Sequence, residues 1–191
     1  MTALRRDFRE QLQPVLTDVL THLKFIDEIG IHLGLTRLYG RAAPGERVSE
    51  GTPDYSGPHY TTIAAIGLSG VEAPWLFEGA MTTLAFETYL QAELLPTLQR
   101  GDIVLLDNLS AHKSAEAQRL MEARGARLLF LPPYSSDLNP IELCWSKVKA
   151  ALRTAKARTF DALLEALAAA LRSVSPADVE AWFAHCGYAR S

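Results

Sequence analysis

The octapeptide GDIVLLDN, residues 101–108, sets four apolar residues between a turn glycine and an acid. Ile103, Val104, Leu105 and Leu106 show no polar alternation, the pattern of a short strand buried on both faces. Such a strand belongs in the middle of a sheet with helices on either side. Asp107 then stands at its carboxyl end, the edge of an open α/β sheet where ligands usually bind.

The flanking sequence extends this reading in both directions. Residues 82–99 place Leu84, Phe86, Tyr89, Leu90, Leu94 and Leu95 at helical spacing, and SAEAQRLMEARG (114–125) is a helix stopped by Gly125. ARLLFL (126–131) reads as another buried strand, ended by Pro132 and Pro133. Upstream, strands are expected over 23–35 (LKFIDEIGIHLGL), around Arg47, and over 60–68 (YTTIAAIGL), with SEGTPDYSGPH (49–59) a loop. GVEAPWLFEG (70–79) reads as a turn with at most a short strand. After the prolines, helices are expected from Pro140, over 160–174, and over 175–186, the last opening with a serine cap and Asp178 at N3. Residues 1–20 fit a short amphipathic helix with Phe8, Leu12, Val15 and Val19 on one side. The order β-β-β-α-β-α-β-α-α-α predicts an α/β domain, an antiparallel start followed by parallel strands joined through right-handed crossovers.

Composition narrows the class without choosing a partner. With 191 residues, 48% of them hydrophobic and 21% charged, the chain has the profile of one soluble domain. No apolar run approaches the roughly 18 to 20 residues of a membrane span, and the first twenty residues lack the apolar core of a signal peptide. Cys144 and Cys186 form no CxxC pair, so neither a disulfide framework nor a cysteine zinc site is expected, and a reducing cytoplasm suits them. His185-Cys186 has no partners at zinc-finger spacing. A net charge of −3 counts against a bulk electrostatic binder of nucleic acid, unless bound cations neutralise some of the acids.

Three acids stand where an acid is locally unexpected. Asp27 lies inside the first strand between apolar neighbours, and burying an unpaired carboxylate there costs several kcal/mol. Asp107 ends the central strand, although Asp-Asn-Leu-Ser also reads as an Asx turn. Glu142 falls on the first turn of the helix after the last strand, where Asn139-Pro140-Ile141-Glu142 also reads as a capping box. Glu28 points to the other face of its strand and reads as a solvated or peripheral charge. If the strands of Asp27 and Asp107 are adjacent, their carboxylates share one pocket and repel unless a cation lies between them. Hard oxygen donors suit Mg²⁺ or Mn²⁺, and two such ions would serve phosphodiester chemistry.

With these residues in place, FIDEIG, VLLDNLSAHKS and FLPPYSSDLNPIELCWSKVKAALR resemble the DDE-type transposases of bacterial insertion sequences, in the superfamily that also holds the mariner transposases. Thirty-four residues, 108 to 141, lie between Asp107 and Glu142, a spacing typical of that branch. The resemblance runs from about Leu23 to Tyr188. It implies an RNase H-like fold with a mixed five-stranded sheet flanked by helices and a helical C-terminus. It also implies that Asp27, Asp107 and Glu142 hold two Mg²⁺ (or Mn²⁺) ions for cleavage of transposon ends and strand transfer. Double-stranded DNA is the implied partner, as terminal inverted repeats and as target, with insertion at TA; a homodimer is compatible with this, and a bacterial cytoplasm is the implied location. Members carry an N-terminal helix-turn-helix region, and only about twenty residues precede the first strand here, so 1–22 reads as a helix or remnant linker and 23–191 as the catalytic domain. Ser136 replaces the family's turn proline, which predicts a looser turn and unchanged chemistry. Another RNase H-like nuclease, and an inactive remnant that only binds, are the competing readings.

Weaker signals surround the acids. Asn108 and His112 are candidate active-site neighbours, by hydrogen bonding near the metals or contacting a phosphate, and equally plain turn and helix-start residues. Arg37, Arg41, Lys147, Lys149 and Arg153 are candidate contacts to the DNA backbone, against the alternative of a solvated surface.

Overall fold

In the computed structural model, which describes residues 4–8, 10, 12 and 22–188, the apolar run Ile103–Leu106 is a strand, β4, with all four residues buried. Three strands precede it: β1 (Leu23–His32), β2 (His59–Gly67) and β3 (Gly70–Glu78). One follows it, β5 (Arg127–Phe130). The sheet order is β3-β2-β1-β4-β5, antiparallel on the β3-β2-β1 side and parallel from β1 through β4 to β5. This is the expected mixed sheet, with β4 inside it.

Strand periodicity divides the core into two layers. Phe25, Ile29, Ile31 and Leu105 pack on one face, against α3 (Ile141–Ala155), α4 (Phe160–Arg172) and α5 (Pro176–His185). Ile26, Val104 and Leu106 pack on the other, against α1 (Thr83–Tyr89), the turns after it and α2 (Ala115–Arg124). Trp145 of α3 is 1% exposed and Phe183 of α5 meets Phe25 edge-on, so the α3 side is a tightly filled layer. Phe8 and Leu12 of the N-terminal segment are buried in that same layer; Val15 and Val19 lie outside the described residues.

Several boundaries depart from expectation for identifiable reasons. The strand around Arg47 does not form: residues 37–52 are exposed and irregular, and a single Val48 among Gly, Pro and charges leaves nothing to bury on one face. Its place in the order is taken by β3, nine residues long where at most a short strand was expected. Pro74 is tolerated because β3 is an edge strand, and the register slips opposite Ile63/Ala65 where Ala73 takes a φ of 48°. β5 is an edge strand too, half-buried with Arg127 exposed, so it is not the fully buried strand expected. The helix over 82–99 has the right extent but three parts: α1, a π-helical turn Leu90–Leu94 in which Leu95 N–H bonds five residues back to Leu90, and a 3-10 turn Leu95–Thr97. Pro96 has no N–H to continue an α-helical ladder. Gly125 does end α2 with a φ of 77°, and Ser175 with Asp178 forms the expected capping box of α5. Both cysteines are buried and unpaired, and among the described residues no helix is long and apolar enough to cross a membrane.

Candidate active site

β1 and β4 run side by side with Leu23 opposite Ile103 and Phe25 opposite Leu105. The ladder stops there, and counting two residues further along each chain segment reaches Asp27 and Asp107. Parallel neighbours are about 4.8 Å apart. Both acids share the parity of Phe25 and Leu105, so both belong to the α3 side of the sheet. There the turn after β5 crosses back and α3 begins, with Glu142 on its first turn. Asp27, Asp107 and Glu142 line one open cleft of about 450 Å³, together with Asn108, Leu109, Asn139 and the segment Leu131–Ser136.

The start of α3 is built differently from the expected capping box. Asn139 has the extended backbone of a capping residue, and its carbonyl accepts from Glu142 N–H at 3.1 Å. Its side chain does not cap the helix; the amide oxygen is buried on the cleft wall, with no hydrogen-bond partner among the described residues. Glu142 is therefore not engaged in returning a bond to the cap, and its side chain is exposed to the cleft.

The two aspartates differ electrostatically. Asp27 Oδ1 accepts from the Glu28 N–H at 2.9 Å. Burial, then the charges of Glu142, Glu28 and Asp107, push its carboxyl up to about 8. Asp107 Oδ1 accepts from Leu109 N–H at 3.0 Å, the Asx turn, and from His112 Nδ1 at 3.0 Å. The His112 bond, helped by the Leu109 N–H and outweighing partial burial, holds Asp107 below the usual carboxylate range. His112 itself is 2% exposed in its side chain, and its Nε2 lies 3.4 Å from Glu28 Oε2 without the alignment of a hydrogen bond. Burial would lower the imidazole pKa, but Asp107 and Glu28 together overcome it and raise it to about 9.

The candidate neighbours and basic residues separate into groups. Asn108 lines the cleft while its Nδ2 donates to Leu131 O, tying the ends of β4 and β5. His112 sits behind Asp107, against the Phe86 ring, and does not line the cleft. Lys147 is held internally, by Asp178 at 2.7 Å and Ser173 O at 2.9 Å, so it ties α3 to α5. Lys149 and Arg153 have no ion-pair partner among the described residues, and they follow Glu142 by seven and eleven positions, on one face of α3. Arg37 and Arg41 lie in the exposed 37–52 segment and line a separate depression with Leu38 and Tyr39. Two features of the site escape the sequence reading: Glu28, which is 17% exposed in its side chain rather than peripheral, and Tyr134. Tyr134 is 92% exposed at the cleft rim with a φ of 56°, in the left-handed region that non-glycine residues seldom occupy.

The donor set tests which cofactor fits. All three acids offer oxygen alone, and the Asp27 carboxyl is raised first by burial and then by the charges of Glu142, Glu28 and Asp107. Hard divalent cations such as Mg²⁺ or Mn²⁺ fit that chemistry. Among the described residues no three His, Cys, Asp or Glu side chains already converge as a metal cage, so the cleft presents the ligands rather than a closed site.

The mixed five-stranded sheet thus carries acids beyond the ends of its central parallel pair and a third acid on the helix after β5. Residues 22–164 match the family of DDE superfamily endonucleases, and the chain belongs to that family. A relative, the transposable element Tc1 transposase of Caenorhabditis elegans, is 32% identical over 89 residues, which are 47% of this chain and 33% of that protein. The fold matches the Mos1 transposase paired-end complex with left transposon end at a TM-score of 0.70 and 17% identity, over 93% of this chain and 55% of that one. The catalytic domain of Mos1 mariner transposase matches at 0.65 and 13% identity, over 96% of this chain and 83% of that domain. The match thus spans about a third of the Tc1 protein, and the shared fold about half of the Mos1 chain in the paired-end complex. A Mos1 paired-end complex with Mn also shares the fold, at 0.69 and 17% identity over 96% of this chain and 58% of that one.

Proposed function

We propose that this chain is the catalytic domain of a DNA transposase, cleaving transposon-end phosphodiesters and transferring the freed strand into target DNA. The observation that carries this reading is the meeting of Asp27, Asp107 and Glu142, from three separate elements, in one cleft beside the parallel strand ends. These three would hold Mg²⁺ or Mn²⁺, as two ions. When bound, the ions supply an activated water or 3′-hydroxyl and charge stabilisation at the leaving oxygen. The chain's own part is to hold the three carboxylates ready, to take up and release the Asp27 proton, and to seat the DNA backbone. Lys149 and Arg153 continue along α3 from Glu142 and suit successive phosphates of a duplex. The Mos1 relatives are described as paired-end and strand-transfer complexes, which favours action on two element ends by paired copies here as well. Terminal inverted repeats are the proposed substrate and a TA dinucleotide the proposed target.

The test is Mn²⁺- or Mg²⁺-dependent nicking of a duplex carrying the element's own terminal repeat, beside an RNA–DNA hybrid of the same sequence. Metal-dependent cleavage of the DNA end, lost in Asp107→Ala and Glu142→Gln with melting behaviour retained, is expected. Cleavage that survives either substitution, or that prefers the hybrid, overturns the proposal.

A further inference from the structure

We propose that Glu28 and His112 are a positioning pair for Asp107: Glu28 holds the imidazole, and the imidazole fixes the Asp107 carboxylate with one oxygen left for the cleft. The inference deepens the proposed function and rests on its assignment of Asp107 as a cation ligand.

The β1–β4 ladder supplies the first reason. Its pairs end at Phe25 opposite Leu105, two residues short of the acids. Beyond that point the backbone no longer sets the distance between the two strand ends. The contact that spans them there is His112, carried on the 3-10 turn Ser110–His112. Its Nδ1 donates to Asp107 on the β4 side at 3.0 Å, and its Nε2 faces Glu28 on the β1 side at 3.4 Å. One ring thus bridges the two elements that carry the aspartates.

The carboxylate geometry is the second. Asp107 Oδ1 receives both Leu109 N–H and His112 Nδ1, whereas no partner for Oδ2 is found among the described residues. Two donors on one oxygen define the rotamer and leave the other oxygen for a ligand. The ring is itself immobilised, 2% exposed and 4.4 Å centroid to centroid from Phe86. Among the described residues Glu28 Oε2 and His112 Nε2 have no hydrogen-bond partner besides this mutual approach. A buried carboxylate–imidazole contact is a weak source of stability, and an apolar pair of equal volume would serve packing as well. Outer partners that orient a metal ligand typically change metal affinity 10- to 100-fold.

The experiment titrates Mn²⁺ into the metal-stripped chain and follows free Mn²⁺ by its paramagnetic resonance signal. Wild type is compared with Glu28→Ala, Glu28→Gln, His112→Gln and the Glu28→Ala/His112→Gln double variant. Thermal melting in EDTA checks the fold, and ¹⁵N NMR of the His112 ring in the metal-free chain reports its orientation directly. Glu28→Ala is expected to weaken Mn²⁺ binding by about 10-fold or more and to release the protected His112 ring proton. Glu28→Gln, which still offers an acceptor oxygen, should recover part of both, and Glu28→Ala should add nothing in the His112→Gln background. The proposal is overturned if Glu28→Ala lowers only the melting temperature, or if the two losses add. If wild type binds no Mn²⁺, the cation reading of the site fails separately. The His112 signal then decides alone, and its unchanged persistence in Glu28→Ala overturns the pairing.

Discussion

Replacing Asp27 by asparagine should stabilise the metal-free chain, although it removes a residue on which activity is proposed to depend. The amide oxygen keeps the bond from Glu28 N–H, while the charge that burial and three neighbouring carboxylates oppose is gone. The Asp27 carboxyl rises from its ordinary 3.8 to about 8, so the folded chain holds a proton that the unfolded chain has released. Between these limits each pH unit costs wild type about 1.4 kcal/mol of stability as pH rises. At pH 7 the ceiling is therefore about 4 kcal/mol, and relaxation and water entry at this half-buried position reduce the observable gain to about 1–3 kcal/mol. Urea unfolding in EDTA at several pH values from 4 to 9 measures it. The advantage of Asp27→Asn should grow from pH 4 to about 8 and then level off, since above the folded pKa both states of wild type have lost the proton. Saturating Mn²⁺ should reverse the order, because wild type gains about 2.7 kcal/mol at a concentration 100 times its Kd and the variant gains less. A difference that does not vary with pH, or a variant less stable than wild type in EDTA at pH 7 to 8, would refute the burial and crowding of charge at Asp27.

Three further outcomes separate the roles of other residues. Lys149→Ala and Arg153→Ala should each weaken binding to any duplex and reduce the slope of log affinity against log salt by about 0.9, while Lys147→Ala should lower the melting temperature and leave that slope alone; filter binding across a salt series reads all three. Tyr134→Gly should raise stability by about 1 kcal/mol by relieving the left-handed backbone, and should cost affinity for single-stranded or nicked DNA ends if the exposed ring stacks on a base, which calorimetric melts and fluorescence anisotropy check separately. Trp145→Ala should cost about 3–5 kcal/mol in chemical denaturation, since the indole fills the layer between α3 and the sheet.

What the sequence shows of this site is what local pattern can carry. Ile103–Leu106 announces a central strand because nothing polar interrupts it, and Asp107 stands out because it follows at once. Asp27 is visible for the same reason, as a charge inside an apolar strand. Glu142 is less so: its neighbours read as a capping box, and only the fold shows the Asn139 side chain turned to the cleft wall instead. The partner of Glu28 is not legible, because it arrives 84 positions later, on a short turn whose path depends on β4 pairing with β1. Alternation places Glu28 on the face opposite Asp27, and that face is covered by α1 and the His112 turn instead of by solvent. The β3 strand was underestimated because Pro74 argues against a strand in general, and edge position, which excuses it, is a property of the sheet order and not of the segment.

Those two sheet edges have a consequence for how copies of this protein can associate. An open strand edge is a template for another chain, and long flat apolar edges invite aggregation. Here one rim is broken by Pro74 and the irregular register at Ala73, and the other is only four residues long and begins with an exposed arginine. Neither rim can be lengthened by a fresh strand over any useful distance. A second copy therefore finds no long, flat strand to extend at either rim, which leaves the sheet, and the acids at its centre, a self-contained unit.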